Sequence, residues 1–397
     1  INMNILFITH YTALYGANKS LLTLIEGLEK YNVNPMLVVP EFGEICEVLE
    51  KQNIPFIIQK YSRWCGEIPK LPKNRFKRII TIGNNWERII NHKKNNLKYL
   101  NFLNEKIDNF KPEFIYSNSS VFNFGLLYAK RYKIPHIWHL RETQEHYNLE
   151  WFYNIKTINK SFNDSEIVLA ISKFIKVNYQ TKNQIKDIIV EYDGVLSIND
   201  LVLLDKKRQV IKKPNKSSVV FGIVGLIHPN KGQEDAIRAF SIVAQKHPSS
   251  KLLVVGLGGQ LPLKKLVNKL EISNNVEFWG HISDPFDAFL KMDVCLMCSK
   301  KEGLGRVTLE AMASNIPTIG YKEGGTIELI EENINGMFYE FDYKELAERM
   351  IYMIENKERR IEMGNNGRQI FEQKYTSEIY AKNIYNILTK FNNLLLK

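Results

Sequence analysis

The stretch Cys298-Ser299-Lys300-Lys301-Glu302-Gly303-Leu304-Gly305-Arg306-Val307-Thr308-Leu309-Glu310-Ala311-Met312-Ala313 places seven residues between two glutamates, with a glycine loop behind the first and small helix-forming residues around the second. Gly303 and Gly305 leave backbone N–H groups open at a helix N-terminus, where amides and the helix dipole together stabilise phosphate oxygens. Glu302 in the loop and Glu310, about one turn into the helix, accept hydrogen bonds from neutral hydroxyls. Phosphate-binding amides beside hydroxyl-binding carboxylates suit a sugar nucleotide. A charged helix face that is merely solvated is the plainer alternative.

The flanking sequence favours the first reading. The apolar run Asp293–Cys298 precedes the loop, a second apolar run, Ile316–Gly320, follows, and Glu323-Gly324-Gly325-Thr326-Ile327-Glu328 is another glycine turn opening a helix. Strand, glycine loop, helix, repeated, is the pattern of a doubly wound sheet that holds ligands at its strand C-termini. Glu302 and Glu310 resemble the glutamate-x7-glutamate signature of the retaining glycosyltransferase family 4. Its GT-B architecture has two facing Rossmann-like domains with a cleft between them. The resemblance is specific over about residues 218–335 and looser in the N-terminal half. It implies that Glu302 contacts the transferred sugar, that Glu310 holds the ribose hydroxyls, and that the amides of Gly303, Leu304 and Gly305 bind sugar and phosphate.

The length of 397 residues suffices for two domains with full cores, and 44% apolar and 24% charged residues describe a globular protein. No apolar run reaches the length of about 18 residues that spans a bilayer. The opening Met3-Asn4-Ile5-Leu6-Phe7-Ile8 reads as a first strand rather than a signal peptide, which leads to the expectation of a cytoplasmic protein. Cys295 and Cys298 form a C-x-x-C string, but their odd offset in a strand puts them on opposite faces, as packing residues.

The net charge is +11, and between Lys60 and Lys98 eleven basic residues stand against two acidic ones. Trp64, Phe76, Trp86 and Tyr99 are interleaved with them. A basic helix with apolar residues on its other face suits peripheral contact with an anionic membrane, at the inner face of the cell membrane. A solvated face over the core is the alternative, and without a readable recognition module nucleic acid is not expected.

Strands are expected at 5–9, 35–39, 56–58, 114–116, 136–139 and 167–171, with helices at 19–31, 44–52, 96–110 and 122–132 between them. This alternation favours parallel sheets. A polar, lysine-rich run over 205–218 precedes a fresh alternation at Val219. The domains are therefore taken as 1–195, on the acceptor side, and 196–375, which binds the nucleotide sugar. By family resemblance, a last helix over 376–397 returns to the first domain.

Gly225-Leu226-Ile227-His228-Pro229-Asn230-Lys231-Gly232 follows a strand and precedes a helix. It resembles the family's diphosphate loop, in which Lys231 neutralises charge on the leaving group. The family's arginine position holds Leu226, with Arg306, Arg141 and Lys173 as candidate substitutes. Val254-Val255-Gly256-Leu257-Gly258-Gly259 imitates a dinucleotide fingerprint but lacks its third glycine and acidic partner. Backbone at His281 and Ile282 is implied to face the base. Gly16, Ala17 and Asn18 resemble the family's first glycine-rich loop on the acceptor side, and His139 is implied to touch the donor sugar. His10 and Asn118 also end expected strands.

The resemblance implies a retaining transfer of a hexose-type unit from a nucleotide diphosphate sugar onto a hydroxyl of a glycan, lipid-linked or protein acceptor. The departing phosphate would take the acceptor proton and domain closure would assemble the site. No metal or other cofactor is expected. A sugar-nucleotide epimerase or hydrolase of the same fold, and a non-catalytic membrane-associated scaffold, stand as alternatives.

Overall fold

The computed structural model describes residues 2–66, 75–107, 109–143, 149–185, 187–211 and 218–395, with side chains of 75–85 and 395 left aside. It divides into two compact units, Ile1–Tyr192 with Tyr380–Lys397, and Asp193–Ile379.

The first unit contains β1 (Met3–Ile8), β2 (Val33–Val39), β3 (Phe56–Ile58), β4 (Cys65–Gly66), β5 (Phe114–Ser117), β6 (His136–Leu140), β7 (Glu150–Trp151), β8 (Ile167–Ala170) and β9 (Ile189–Val190). Seven of them form a sheet in the order β3-β2-β1-β5-β6-β8-β9, with every pairing parallel, while β4 and β7 form a short antiparallel pair. The helices are α1 (Gly16–Leu28), α2 (Glu44–Lys51), α3 (Arg75–Lys106), α4 (Phe124–Tyr132), α5 (Ile155–Asn163) and α6 (Lys173–Asn183). Ile5, Leu6, Phe7 and Ile8 are all fully buried, as expected of a strand covered on both faces.

The second unit begins with α7 (Ile198–Val210). It continues through β10 (Val220–Val224), α8 (Gln233–Lys246), β11 (Lys251–Val255), α9 (Leu261–Lys269), β12 (Val276–Gly280), α10 (Phe286–Phe289) and β13 (Val294–Met297). Then come α11 (Arg306–Ala313), β14 (Thr318–Tyr321), β15 (Gly336–Tyr339), α12 (Tyr343–Glu355) and α13 (Lys357–Lys374). Its sheet, also parallel, runs β12-β11-β10-β13-β14-β15. Alternate residues serve separate cores: Phe221, Val254 and Leu296 pack on one face, Val255 and Cys295 on the other. Cys295 and Cys298 fall into these opposite cores, buried and free.

The last helix, α14 (Ser377–Leu395), starts in the second unit and from Tyr380 belongs to the first. There Tyr380, Ala381, Ile384 and Leu388 join the core containing Phe7, Phe114 and Tyr116.

One expected helix covers only part of its element. The helix expected at 96–110 is the C-terminal part of α3, which starts at Arg75 and ends at Lys106. His92, Asn96, Leu100 and Leu103 form its buried stripe, and two of these are polar, so hydrophobic periodicity hides the helix. Its described apolar residues also differ from the expected arrangement. Trp86, Ile90 and Leu97 lie exposed on the side that carries Lys93 and Lys94, not opposite the cations. The part of the basic stretch at 67–74 lies outside the described residues.

Candidate active site

Each sheet reverses its strand order once, between β1 and β5 in the first unit and between β10 and β13 in the second. Loops beyond the strand C-termini at such a point are where open α/β sheets hold ligands. In the second unit these are the loops 225–232 and 298–305.

Backbone packing fixes both loops. The Lys300 amide donates to Asn230 O at 3.3 Å and Ser299 Oγ to the same oxygen at 3.2 Å. Gly232, at φ 70°, sits so close that a Cβ would meet Cys298 O at 2.5 Å. This contact carries Lys231 to Glu302: Nζ lies 2.6 Å from Oε2, with both side chains about three-quarters buried or more. The two residues, read separately in the sequence, thus form one ion pair.

Gly305, at φ 92°, is the N-cap of α11 and supplies no side-chain cap. The first turn carries no acidic residue, so the helix dipole there is uncompensated locally. Thr308 Oγ1 and Thr326 Oγ1 are buried without hydrogen-bond partners, each 3.5 Å from where a Gly305 Cβ would stand. Glu310 is 5% exposed and accepts from Arg306 Nε at 3.2 Å. Arg306 is therefore engaged one turn along its own helix.

A second glycine turn buttresses this loop. The Gly325 amide donates to Glu302 O at 2.7 Å. A Cβ on Gly324 would stand 2.6 Å from Glu302 O, and one on Gly325 2.3 Å from Gly303 O. Leu304 is buried beneath.

Gly225, at φ 142°, donates its amide to Val255 O at 2.9 Å. A Cβ on Gly256 would stand 1.8 Å from Gly225 O and one on Gly258 2.7 Å from Ile227 O, so these two glycines of the false dinucleotide fingerprint serve close loop packing. Leu226 is 42% exposed. His281 is exposed beyond β12, and Ile282 packs against the core beside Val307.

In the first unit, Gly16 is the exposed first residue of α1, and Tyr15 before it offers no side-chain cap. Asn18 is fully buried: Oδ1 accepts from Thr9 Oγ1 at 2.5 Å, and Nδ2 donates to Tyr11 O and Ala13 O, both at 2.9 Å. Its side chain therefore clamps the loop that opens α1. Ala17 O accepts from Asn118 Nδ2 at 3.0 Å.

His139 is fully buried, with Nδ1 2.5 Å from Tyr116 OH and Nε2 enclosed without a partner among the described residues. Burial, then the nearby Arg141 charge, holds its pKa well below the usual imidazole value, so the ring is neutral. Arg141 is buried in the same network, donating to Asn118 Oδ1 at 2.6 Å and Tyr380 OH at 3.2 Å. Lys173, the third candidate cation, begins α6. Sequence reasoning missed Tyr116 and Tyr380, whose partners lie 23 and 239 residues away.

Among the described residues no group of three or more His, Cys, Asp or Glu side chains is placed to hold a metal ion. None of their helices is long and apolar enough to cross a membrane.

Residues 205–370 match the family described as glycosyl transferases group 1. The capsular polysaccharide biosynthesis glycosyltransferase CapM of Staphylococcus aureus is 29% identical over 56% of this chain and 61% of its own length. The N-acetyl-alpha-D-glucosaminyl L-malate synthase of Bacillus anthracis is 28% identical over 54% of this chain and 57% of its own. The matches thus span little more than half of these relatives. Among solved structures, Anabaena HepE in complex with UDP superposes with a TM-score of 0.75 at 20% identity, covering 98% of this chain and 100% of that one. The shared fold is GT-B. HepE has also been crystallised with UDP-glucose.

Proposed function

We propose that this chain, whose residues 205–370 match the glycosyl transferases group 1, transfers a sugar from a nucleotide diphosphate sugar, with UDP as the carrier, to a hydroxyl acceptor. The carrying observation is the Lys231–Glu302 pair at 2.6 Å, held beside the uncapped amides that open α11. An arriving diphosphate is neutralised by Lys231 and the amides of Gly303, Leu304 and Gly305, close to Gly225. Lys231 then leaves Glu302 free to accept from a sugar hydroxyl, and Glu310 accepts from the ribose. His281 and Ile282 border the base. His139, being neutral and buried, acts by holding Arg141 and Tyr116 in place.

The transfer proceeds with retention, and the leaving phosphate takes the acceptor proton. Charge stabilisation by Lys231 and amides does the work of a metal, and no cofactor takes part. CapM, named for capsular polysaccharide biosynthesis, supports a place in bacterial cell-surface glycan synthesis. The acceptor in this reading is a glycan, lipid-linked or protein hydroxyl. The protein works at the cytoplasmic membrane face, where Trp86, Ile90 and Leu97 of α3, flanked by Lys93 and Lys94, contact anionic lipid.

A panel of UDP-, GDP- and ADP-sugars, read by thermal stabilisation and product stereochemistry, tests this. UDP-sugars should stabilise the chain, product should form only with an acceptor present, and EDTA should leave turnover unchanged. Lys231→Met and Glu302→Gln should each cut turnover about 100-fold or more with Tm retained. Stabilisation by none of the nucleotides, or full turnover in Glu302→Gln, overturns the assignment.

A further inference from the structure

A cavity of about 310 Å³ opens in the first unit, and none of its lining residues has a role in the transfer proposed above. His10 follows β1, Glu41 follows β2, and the run Lys60–Arg63 follows β3, so its wall is built at the C-terminal ends of three adjacent parallel strands. Tyr99 of α3 closes one side. This is the sheet end where ligands sit in open α/β folds, and the volume is at the small end for ligand pockets.

The wall is braced. The Ser62 amide donates to Asn96 Oδ1 at 2.7 Å, and Asn96 Nδ2 returns a bond to Ser62 O at 3.3 Å. The Tyr61 hydroxyl donates to Thr9 O, and its ring stacks on Phe124 with centroids 4.9 Å apart. Arg63 Nη2 reaches back to His10 O at 3.1 Å. Lys60 and Arg63 are exposed, and among the described residues neither forms an ion pair. Glu41 is the one carboxylate in the wall. His10 Nδ1 is enclosed and, among the described residues, unpartnered, and burial, followed by the Arg63 charge, pushes the ring's pKa down to about 3. The imidazole is therefore neutral and keeps an unmet hydrogen-bonding need.

We propose that this cavity binds a hydroxylated ligand through a phosphate group, and, resting on the glycosyl-transfer reading, that the ligand is the acceptor. The Arg63 fork and the Lys60 ammonium take the phosphate oxygens. Glu41 accepts from a hydroxyl, which a purely anionic ligand does not offer. His10 completes the polar wall.

Titration of the full chain with glycerol phosphate, uncharged glycerol and phosphatidylglycerol vesicles tests the site, with UDP binding followed in parallel. Glycerol phosphate should bind and glycerol should not. The Lys60→Ala/Arg63→Ala variant should bind the ester at least about tenfold more weakly, with UDP affinity and Tm unchanged. Lys60→Arg should stay within about threefold, since the charge is kept. Undiminished ester binding by the double variant overturns the site. Capture of vesicles but not the soluble ester, lost in the same variant, supports the site with a lipid headgroup as its source. The reverse supports it with a free phosphorylated acceptor. In transfer assays the double variant should raise KM for a phosphorylated acceptor and spare an uncharged one. An equal effect on both removes the acceptor assignment. Failure of the unchanged chain to bind UDP refutes the glycosyl-transfer reading instead, while the ester titration still decides the site.

Discussion

Gly325→Ala probes the contact that shapes the proposed donor loop. A Cβ at 325 would lie 2.3 Å from Gly303 O, 2.6 Å from Leu304 Cα and 2.8 Å from Gly303 C. Ordinary carbon contacts are about 3.5–4.0 Å, so the two backbone segments must part by about 1 Å. All three opposing atoms are main chain, and no side chain can swing aside. Overpacking of this kind costs about 1–3 kcal/mol, and each kcal/mol lowers Tm by about 2–4 °C in a domain of this size. The larger effect is positional. The displaced segment carries Glu302 and the amides that follow it, and a 1 Å error at a reacting centre costs about 100-fold in rate. We expect kcat/KM with a UDP-sugar to fall about 100-fold while the protein stays folded at 25 °C. Gly367→Ala in α13 is the control, because its Cβ meets nothing nearer than Met312 Cγ at 3.5 Å. It should leave kcat/KM unchanged and Tm equal or higher. A kcat/KM for Gly325→Ala within about threefold of the parent would show that the turn is not a buttress.

Acid should unfold the first unit early. Burial pushes His10 and His136 down to about 3 and His92 to about 4, and lowers His139 well below its usual value. These rings are neutral when folded and take protons at about 6.5 when unfolded, so stability is intact above pH 6.5 and is lost as pH falls toward 4, by up to about 1.4 kcal/mol per pH unit for each ring. Trp64, Trp86, Trp138 and Trp151 report on this unit by fluorescence, and a melting transition unmoved between pH 7.5 and 5 refutes the linkage. On α3, Trp86 and Ile90 are 63% and 59% exposed, so replacing both with Ser should leave Tm unchanged. The same change should weaken cosedimentation with anionic vesicles at least about tenfold, each apolar side chain contributing about 1.5–3 kcal/mol. Equal sedimentation rules out this face as the lipid contact.

The strands were legible wherever burial on both faces wrote a continuous apolar run. Val294–Met297 and Ile5–Ile8 are such runs, and each lies in a central strand of its sheet. The glycine turns were legible because few other residues take φ values such as 92° at Gly305 or 69° at Gly324. The first two-thirds of α3 were not legible. Its buried face includes His92 and Asn96, which satisfy each other at 3.0 Å, and no hydrophobic count registers a buried polar pair.

Side-chain roles are a different kind of information from loop position. Spacing places Asn18 between the first strand and the first helix and His139 at a strand end, and in the structure they lie in the first turn of α1 and in β6. What each side chain does depends on partners brought in by the fold. The carbonyls of Tyr11 and Ala13 and the Thr9 hydroxyl saturate Asn18, and Tyr116 occupies His139 Nδ1. Lys231 and Glu302, 71 residues apart, meet only because Gly232 lets one loop press on Cys298. A pair about three-quarters buried has lost part of its hydration, so separating the charges without a replacement partner is costly. In the proposed transfer, a diphosphate for Lys231 and a sugar hydroxyl for Glu302 are such replacements. On that reading the pair holds both side chains in position before the donor arrives and yields to a ligand that carries both groups.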